Sequence, residues 1–458
     1  MRMKFNWLTL WVCLLAFPLA FGCSGSDDDD SAADGGGDTD GDTDGDSDGD
    51  SDGDSDGDTD TDTDTDTDAD ADTDTDADTD GDTDGDTDGD TDGDTDGDTD
   101  GDTDGDADAD GGTGDAGNTD MDWDADLGEG ESLPDADPGQ WTWLPYDNTN
   151  CRNGSTAGMS VRYNDASDDL FIYMEGGGAC FNVTTCLGNP SSISASTRTP
   201  GNSGIFDFNN DNNPLKDYNA IYIPYCTGDV HTGSNPNGNM SGKQMFVGGT
   251  NYRTFLADIV ETFTETKKVV VTGCSAGGFG AAFNYWVTAQ AFGPGVTVIG
   301  VDDAGPPMRT PYFEACLQKK VRNLWGMDEF IPPGCTECSA ADGSGFHAIF
   351  GYIADRYPNA TFGLISAFED AVIKGFWGFG SNNCTALIPT YPAGRYKTAL
   401  EDLRDYMDEV GLGGTYYFPG SDHTQIGGGS LYSRTVDGVK LNDWMQDVVD
   451  GNMTHVAP

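Results

Sequence analysis

Basic residues and histidines are scarce in this chain. Its 458 residues include 21 lysines and arginines, 83 aspartates and glutamates and only 4 histidines, and the formal net charge is −62. The segment from Asp27 to Asp126 has 47 acidic residues and no lysine or arginine. The remainder, without the first 22 residues, still has a net charge of −17 and no basic stripe. This charge argues against nucleic acid as a partner, because the phosphate backbone would be repelled.

Long apolar runs are also lacking beyond the amino terminus. Arg2 and Lys4 precede an apolar run from Trp7 to Phe21, which is too short to span a bilayer comfortably. The pattern is typical of a signal peptide over residues 1–22, so we expect export. The ending LAFGC resembles a bacterial lipoprotein site, with Cys23 as the lipidated residue and the sole membrane attachment at a cell surface or outer membrane. The alternative is ordinary signal cleavage and secretion.

Eleven cysteines fit an exported protein, because disulfides persist in oxidising compartments. We interpret Cys274 as a packing residue with a free thiol. Cys13 lies in the leader and Cys23 is the expected lipid anchor. Without these three, eight cysteines remain, enough for four disulfides whose pairing the sequence does not specify. A less favoured alternative is a zinc site formed by four of these cysteines, namely Cys316, Cys335, Cys338 and Cys384.

Alternating aspartates dominate the segment after the leader. From Asp38 to Asp110 every second residue is aspartate, with Thr, Gly, Ser or Ala between. Such a sequence cannot bury apolar surface and repels itself, so residues 23–126 are predicted to be a disordered, extended linker. The stretch DGDSDG at Asp44–Gly49 matches half of a calcium loop, but a period of two never places the required glutamate at position twelve. We expect weak calcium association at most.

Sequence able to form a core begins near residue 127, and residues 127–458 suffice for one large domain. Short apolar, β-rich runs begin at Leu170, Tyr218, Lys267, Val296, Ala360 and Gly414. Helical patterns between several of them begin at Asn251, Gly280 and Tyr396. This alternation predicts an α/β fold with a central, largely parallel sheet and functional groups at the carboxyl ends of the strands.

One β-rich run leads into the pattern G-x-S-x-G at Gly273–Gly277, and a helical pattern follows it. Small residues around a serine let the backbone turn sharply and expose the hydroxyl, so Ser275 is the predicted nucleophile. The alternative is a purely structural bend. Ala276, the next residue, is a predicted backbone donor to an oxyanion. Gly177 and Gly178, after an earlier strand, are predicted to supply the other donors.

A serine nucleophile needs a base, and the usual order of serine, acid, histidine excludes the upstream His231. His347 lies in a glycine- and alanine-rich loop with no acid-bearing strand in the right order between it and Ser275, and His455 is close to the carboxyl terminus. His423, directly after a late β-rich run, is therefore the predicted base, with a structural histidine as the alternative.

The acid is expected after the strand that precedes this run. Asp370 is favoured there, and Glu369 is the reserve because sequence cannot fix the turn by one residue. Asp302 and Asp303 follow an earlier strand and are the competing candidates.

These motifs together resemble the pectin acetylesterase and Notum family of secreted α/β-hydrolases. The resemblance runs from about Asn150 to Gln425 and rests on the segments Glu175–Cys186, Tyr222–Gly233, Thr272–Gly280, Asp302–Pro307 and Ser421–Gln425. It implies a three-layer α/β-hydrolase sandwich, a triad of Ser275, Asp370 and His423, and ester hydrolysis through an acyl-enzyme without metal or cofactor. Relatives carry tryptophan where this chain has Gly178, which implies a more open wall of the pocket.

The substrate implied by the resemblance is an ester, with the O-acetyl groups of a polysaccharide such as pectin as the first choice. The acidic body would repel polygalacturonate. Longer acyl esters are the alternative, in a pocket to which Phe330, Phe376, Trp377 and Phe379 could contribute, although core packing is favoured for them. A peptidase, or a surface binding protein that keeps the fold without turnover, are further alternatives.

Overall fold

A computed structural model of the protein describes residues 127–240, 242–386 and 388–458. The predicted signal peptide, the lipidation of Cys23 and the linker with its calcium association lie outside these residues. Among the helices of the described residues, none is long and apolar enough to cross a membrane.

A nine-stranded sheet forms the centre of the described part of the chain. The strands of the described residues are β1 (Thr142–Asn150), β2 (Thr156–Arg162), β3 (Leu170–Met174), β4 (Asn219–Ile223), β5 (Asn235–Met240), β6 (Gly242–Phe246), β7 (Lys268–Cys274), β8 (Thr297–Asp303), β9 (Thr361–Ala367), β10 (Gly414–Phe418), β11 (Thr435–Val436), β12 (Val439–Lys440) and β13 (His455–Val456). Strands β5 and β6, and likewise β11 and β12, form short hairpins outside the large sheet. All six predicted strands are present, as β3, β4 and β7 to β10.

The order of the large sheet is β1-β2-β4-β3-β7-β8-β9-β10-β13. Every pairing from β4 to β13 is parallel, and the pairings of β1 with β2 and of β2 with β4 are antiparallel. Strands such as β3, β9 and β10 are buried along their whole length, which explains their continuous apolar sequences. The predicted, mostly parallel sheet is confirmed.

Helices cover both faces of this sheet. They are α1 (Val183–Leu187), α2 (Gly248–Thr262), α3 (Ala276–Phe292), α4 (Ala315–Trp325), α5 (Ala348–Arg356), α6 (Ala371–Trp377), α7 (Ser381–Cys384), α8 (Ala393–Val410), α9 (Ser430–Ser433) and α10 (Leu441–Val449). Successive side chains of a strand point to opposite faces, and those of β3 accordingly divide between two apolar clusters. Helices α2, α3, α5 and α8 contribute to the first cluster, and α10 contributes to the second. The three-layer sandwich is therefore present.

Four disulfides connect eight cysteines of the described residues, as predicted. They are Cys151–Cys226, Cys180–Cys186, Cys316–Cys384 and Cys335–Cys338. The zinc alternative is wrong, because all four cysteines proposed for it are consumed in disulfides and offer no thiolate.

The prediction of a free thiol at Cys274 is also wrong. Cys274 is disulfide-bonded, so its thiol is not free. A cysteine count alone does not show which thiol is left free.

Candidate active site

Ser275 lies on a sharp turn between the end of β7 and the start of α3. Its φ of 56° is positive, a conformation that residues other than glycine rarely adopt. The backbone N–H of Ser275 donates to the carbonyl of Asp303 at 2.7 Å, and the carbonyl of Ser275 accepts from Phe279 at 3.1 Å. Strain at this turn is therefore held by hydrogen bonds on both sides.

The glycines on either side of Ser275 are required because there is no room for a side chain at these positions. A Cβ on Gly277 would overlap the carbonyl of Met174, the last residue of β3, and a Cβ on Gly273 would overlap the carbonyl of Gly277. Helix α3 thus begins in close contact with the sheet, and its N-terminal N–H groups, including that of Ala276, lie directly after the serine. The positive end of a helix dipole favours a negative charge at this point.

Asp370 and His423 lie after β9 and β10 and are joined by a hydrogen bond. The Nδ1–H of His423 donates to Oδ2 of Asp370 at 2.8 Å. The other oxygen of Asp370 caps helix α6, since it accepts from the N–H groups of Val372 and Ile373 at 2.9 and 2.8 Å. Asp370 is fully buried, so the sheet and the helix cap fix the carboxylate that orients the imidazole.

The Nε2 atom of His423 is buried and has no hydrogen-bond partner among the described residues. With the proton on Nδ1, this atom carries the lone pair that a general base needs. The structure therefore joins His423 to Asp370 but does not join it to Ser275 by a hydrogen bond. Such contacts are often long in enzymes without substrate and shorten when it binds.

Among the described residues, none of the competing acids forms a hydrogen bond with the imidazole of His423. Asp302 accepts from the N–H of Gly305 at 2.6 Å, and burial raises its pKa well above the ordinary value. Asp303 accepts from two backbone N–H groups beyond His423, and burial raises its pKa to about 6. Glu369 is exposed. The geometry thus favours Asp370 over these three.

The other histidines make contacts elsewhere. His231 is buried with its Nε2 2.8 Å from the carbonyl of Glu175, and burial lowers its pKa to about 4. His455 contacts Thr415 and Asp408. The ring of His347 packs against Tyr406.

The early glycine loop, Gly176–Gly178, lies beside the serine. A Cβ on Gly176 would be 3.1 Å from Cβ of Ser275, and Gly178 has a φ of +81° that favours glycine. The carbonyl of Gly177 accepts from Nδ2 of Asn189 at 2.7 Å, and the carbonyl of Gly178 accepts from the hydroxyl of Tyr225 at 2.9 Å. A trans peptide points its N–H opposite its carbonyl, so holding the Gly177 carbonyl also fixes the direction of the Gly178 N–H.

Sequence reasoning missed Asn189 and Tyr225. Tyr225 stands within one of the segments that carry the family resemblance, yet no role was assigned to it. Its hydroxyl also accepts from the N–H of Val230 at 2.9 Å, so it links the glycine loop to a neighbouring turn. Asn189 is held in turn by Arg152, which donates to its carbonyl at 2.7 Å.

An apolar pocket with a cavity volume of about 70 Å³ opens at Ser275. Helices α3, α4 and α6 and the glycine loop form its walls. Its lining residues are Gly178, Ala179, Phe181, Val230, Ser275, Ala276, Phe279, Gly305, Phe313, Leu317, Val321, Trp325, Ile373, Phe376 and Trp377. Of the four aromatic residues considered from sequence, Phe376 and Trp377 are among them, whereas Phe330 and Phe379 are not.

The wall expected to be open at Gly178 is filled by Phe376. The Cζ atom of Phe376 lies 3.0 Å from the position that a Cβ of residue 178 would occupy. A side chain from α6 thus takes space beside the glycine loop, and the implied opening is absent at this point.

No group of three or more His, Cys, Asp or Glu residues in the described part of the chain is arranged to hold a metal ion.

Comparison with known proteins shows that the chain is similar to carboxylesterases. The palmitoleoyl-protein carboxylesterase notum2 of Xenopus laevis is 32% identical over 145 residues, which cover 29% of this chain and 29% of the relative. Pectin acetylesterase 11 of Arabidopsis thaliana is 25% identical over 237 residues, which cover 49% of this chain and 60% of the relative. The chain thus matches less than two thirds of the length of either relative.

A crystal structure of the Wnt deacylase Notum from Drosophila superimposes with a TM-score of 0.53 at 19% identity, covering 68% of this chain and 95% of that one. This likeness confirms the predicted α/β-hydrolase fold. The family model described as Pectinacetylesterase matches residues 144–380, just over half of the chain. The chain therefore belongs to the pectinacetylesterase family of carboxylesterases, which the similarity to Notum also indicates.

Proposed function

We propose that the protein is a serine carboxylesterase that works through an acyl-enzyme and takes an apolar acyl group longer than acetyl. Ser275 is the nucleophile, His423 the general base and acid, and Asp370 the residue that orients the imidazole. The N–H groups of Gly177, Gly178 and Ala276 stabilise the oxyanion. The geometry around His423 and the glycine loop supports these roles.

In the acylation step, Oγ of Ser275 attacks the ester carbonyl carbon while its proton moves to Nε2 of His423. The carbonyl oxygen becomes an oxyanion beside the glycine loop and the start of α3. When the tetrahedral intermediate collapses, the bond to the alkoxy oxygen breaks and His423 gives its proton to the leaving alcohol. The acyl group remains on Ser275.

Deacylation repeats these steps with water. His423 takes a proton from the water as its oxygen attacks the acyl carbon, and the bond to Oγ of Ser275 then breaks. His423 returns the proton to Ser275, and the carboxylic acid leaves. Asp370 stabilises the imidazolium that forms in each half of the cycle.

The acyl group is inferred from the apolar pocket at Ser275, the single observation that carries the proposal. An acetyl group would place one methyl in a pocket lined by aromatic and branched aliphatic side chains. Each further methylene buried there contributes about 0.8 kcal/mol of binding free energy. A chain of several carbons therefore gains more from this pocket than an acetyl group does.

A second candidate is the removal of acetyl groups from a polysaccharide. The family description and the Arabidopsis relative favour it. The acidic body of the chain disfavours polyuronates as the carrier of those groups, because like charges repel. Neutral acetylated polysaccharides are not subject to that repulsion.

The experiment compares p-nitrophenyl esters from acetate to decanoate with the full chain, Ser275→Ala and Ser421→Ala. Ser421 is an exposed serine in the loop of His423 and controls for loss of a hydroxyl. We expect kcat/KM to rise with acyl length and to fall by about 10³-fold or more in Ser275→Ala alone. Hydrolysis no faster than in Ser275→Ala would contradict the esterase proposal. A preference for acetate would contradict the longer acyl group and favour the second candidate.

A further inference from the structure

Asp303, the last residue of β8, contacts both halves of the candidate site. Its backbone carbonyl accepts from the N–H of Ser275 at 2.7 Å. Its side-chain Oδ2 accepts from the N–H groups of Gln425 and Ile426 at 2.6 and 2.8 Å. One residue thus bonds to the turn that carries the nucleophile and to the loop that carries His423.

The loop of His423 is strained at the residue between the histidine and this contact. Thr424 has a φ of +69°, which costs free energy for a residue other than glycine. The two hydrogen bonds to Asp303 begin at the next residue. They therefore hold the backbone where strain would otherwise let it relax and carry the imidazole away from Asp370.

Asp303 is fully buried, and its Oδ1 has no hydrogen-bond partner among the described residues. The titratable groups that face it are His423 and Asp370, together with Tyr173 on β3 and the preceding Asp302. Burial raises the pKa of Asp303 to about 6, while the two N–H donors and His423 oppose the rise. At neutral pH the group is mainly ionised, and an ionised carboxylate makes the stronger hydrogen bonds to N–H groups.

We infer that Asp303 is a positioning residue, which sets the base His423 relative to the nucleophile Ser275 by fixing the backbone on both sides. This inference rests on the proposed serine esterase function. Asp303 acts through the backbone of Ser275 and of the His423 loop, not through contact with substrate.

A second anchor holds the same loop from the surface. Arg434 donates to Oδ2 of Asp422 at 2.6 Å and to Oε1 of Gln425 at 3.0 Å. The side chain of Asp422 is largely exposed, and exposed ion pairs contribute little free energy. The buried anchor at Asp303 therefore carries most of the restraint.

The test measures kcat, KM and the tautomer of His423 in the full chain and in Asp303→Ala, Asp303→Asn and Asp302→Asn. Asp302→Asn is the matched control, because it makes the same chemical change in a neighbouring buried aspartate. The side chain of Asp302 accepts from the N–H of Gly305 and not from the loop of His423. Because the sequence has 4 histidines, ¹⁵N-histidine labelling gives few signals from which the tautomer can be assigned.

We expect Asp303→Ala to lower kcat about 100-fold with little change in KM, because a displaced base loses catalysis more than binding. The His423 signal should change from the Nδ1-protonated form to a mixture of tautomers. Asp303→Asn, which retains one oxygen acceptor, should lower kcat about tenfold. Asp302→Asn should keep the wild-type tautomer.

A lower Tm in Asp303→Ala and in Asp303→Asn with kcat and tautomer unchanged would overturn the inference and leave a structural role alone. An equal change of tautomer in Asp302→Asn would overturn it as well. If Asp303→Ala does not fold, Asp303→Asn decides the outcome. Absence of ester hydrolysis in the wild type would refute the proposed function, and the tautomer comparison would still test the positioning role.

Discussion

The two sides of the candidate site are held in different ways. The oxyanion side, around Gly176–Gly178, lies next to the Cys180–Cys186 disulfide and above buried tyrosine, asparagine and glutamate side chains. The acid–base side, around Asp370 and His423, depends on hydrogen bonds to carboxylates, and the sequence has no cysteine after Cys384. One side thus has a disulfide beside it and loop carbonyls that accept from an amide and a hydroxyl, whereas the other is held by hydrogen bonds to carboxylates. We therefore expect substitutions on the two sides to differ in how far they lower kcat and in how they change the pH dependence of stability.

The largest effect is expected on the acid–base side. Asp370→Asn keeps an oxygen that can cap α6 but removes the charge that orients the imidazole and stabilises the imidazolium. We expect kcat to fall about 10³- to 10⁴-fold while the folded structure is retained. Ester hydrolysis and circular dichroism check this result. The matched control is Glu369→Gln at the neighbouring exposed acid, and an equal loss of kcat in that variant would contradict the assignment of Asp370.

A smaller effect is expected on the oxyanion side. Tyr225→Phe removes the hydroxyl that donates to the carbonyl of Gly178 and leaves the ring in place. The glycine loop loses one of its two carbonyl anchors, and we expect kcat to fall about 10- to 100-fold with KM nearly unchanged. Tyr163→Phe is the control, since that hydroxyl donates to the carbonyl of Pro134 on the surface. A rise in KM at constant kcat would indicate substrate binding rather than oxyanion positioning.

The smallest effect on activity is expected from Glu175, the buried acid that precedes the glycine loop. Burial raises its pKa from 4.5 to about 7. The folded state therefore binds the proton more tightly than the unfolded state, and the free energy of unfolding falls as pH rises from about 4.5 to 7. Glu175→Gln should remove this dependence of the unfolding free energy on pH. The change expected in the wild type is about 3 kcal/mol, because a shift of one pKa unit corresponds to about 1.36 kcal/mol.

Urea unfolding at several pH values measures this difference. His231, whose pKa burial lowers to about 4, changes stability in the opposite direction within the same pH range, so the wild type alone does not isolate Glu175. The difference between wild type and Glu175→Gln does isolate it, and Glu369→Gln again provides the exposed control. Equal pH dependence in the wild type and Glu175→Gln would show that burial does not raise the pKa of Glu175.

Much of this organisation could be predicted because its signals are local or ordered along the chain. The six predicted strands are buried on both faces, so each one forms a continuous apolar run in the sequence. The turn at Ser275 needs glycines within two residues of it. The order of strands favoured Asp370 as the acid for His423, and the structure shows a hydrogen bond between these two residues.

The features that were missed depend on contacts between distant residues. Tyr225 and Gly178 are 47 residues apart, and Asp303 and Gln425 are 122 apart, and no periodic pattern marks either pair. Phe376 fills the space beside Gly178 from another helix, so the glycine alone wrongly implied an opening. The pairing of Cys274 could not be deduced, because a cysteine count does not specify partners.

The position of β8 has a consequence for folding kinetics. This strand lies between β7 and β9, and its last residue connects Ser275 to a loop 122 residues further along the chain. Contacts between residues so far apart require the closure of a long loop, which is entropically unfavourable and slow. The turn at Ser275 can form with its own strand and helix, but the distance between Ser275 and His423 is established only when the late loop docks. Catalytic competence should thus be among the last properties that the refolding chain acquires.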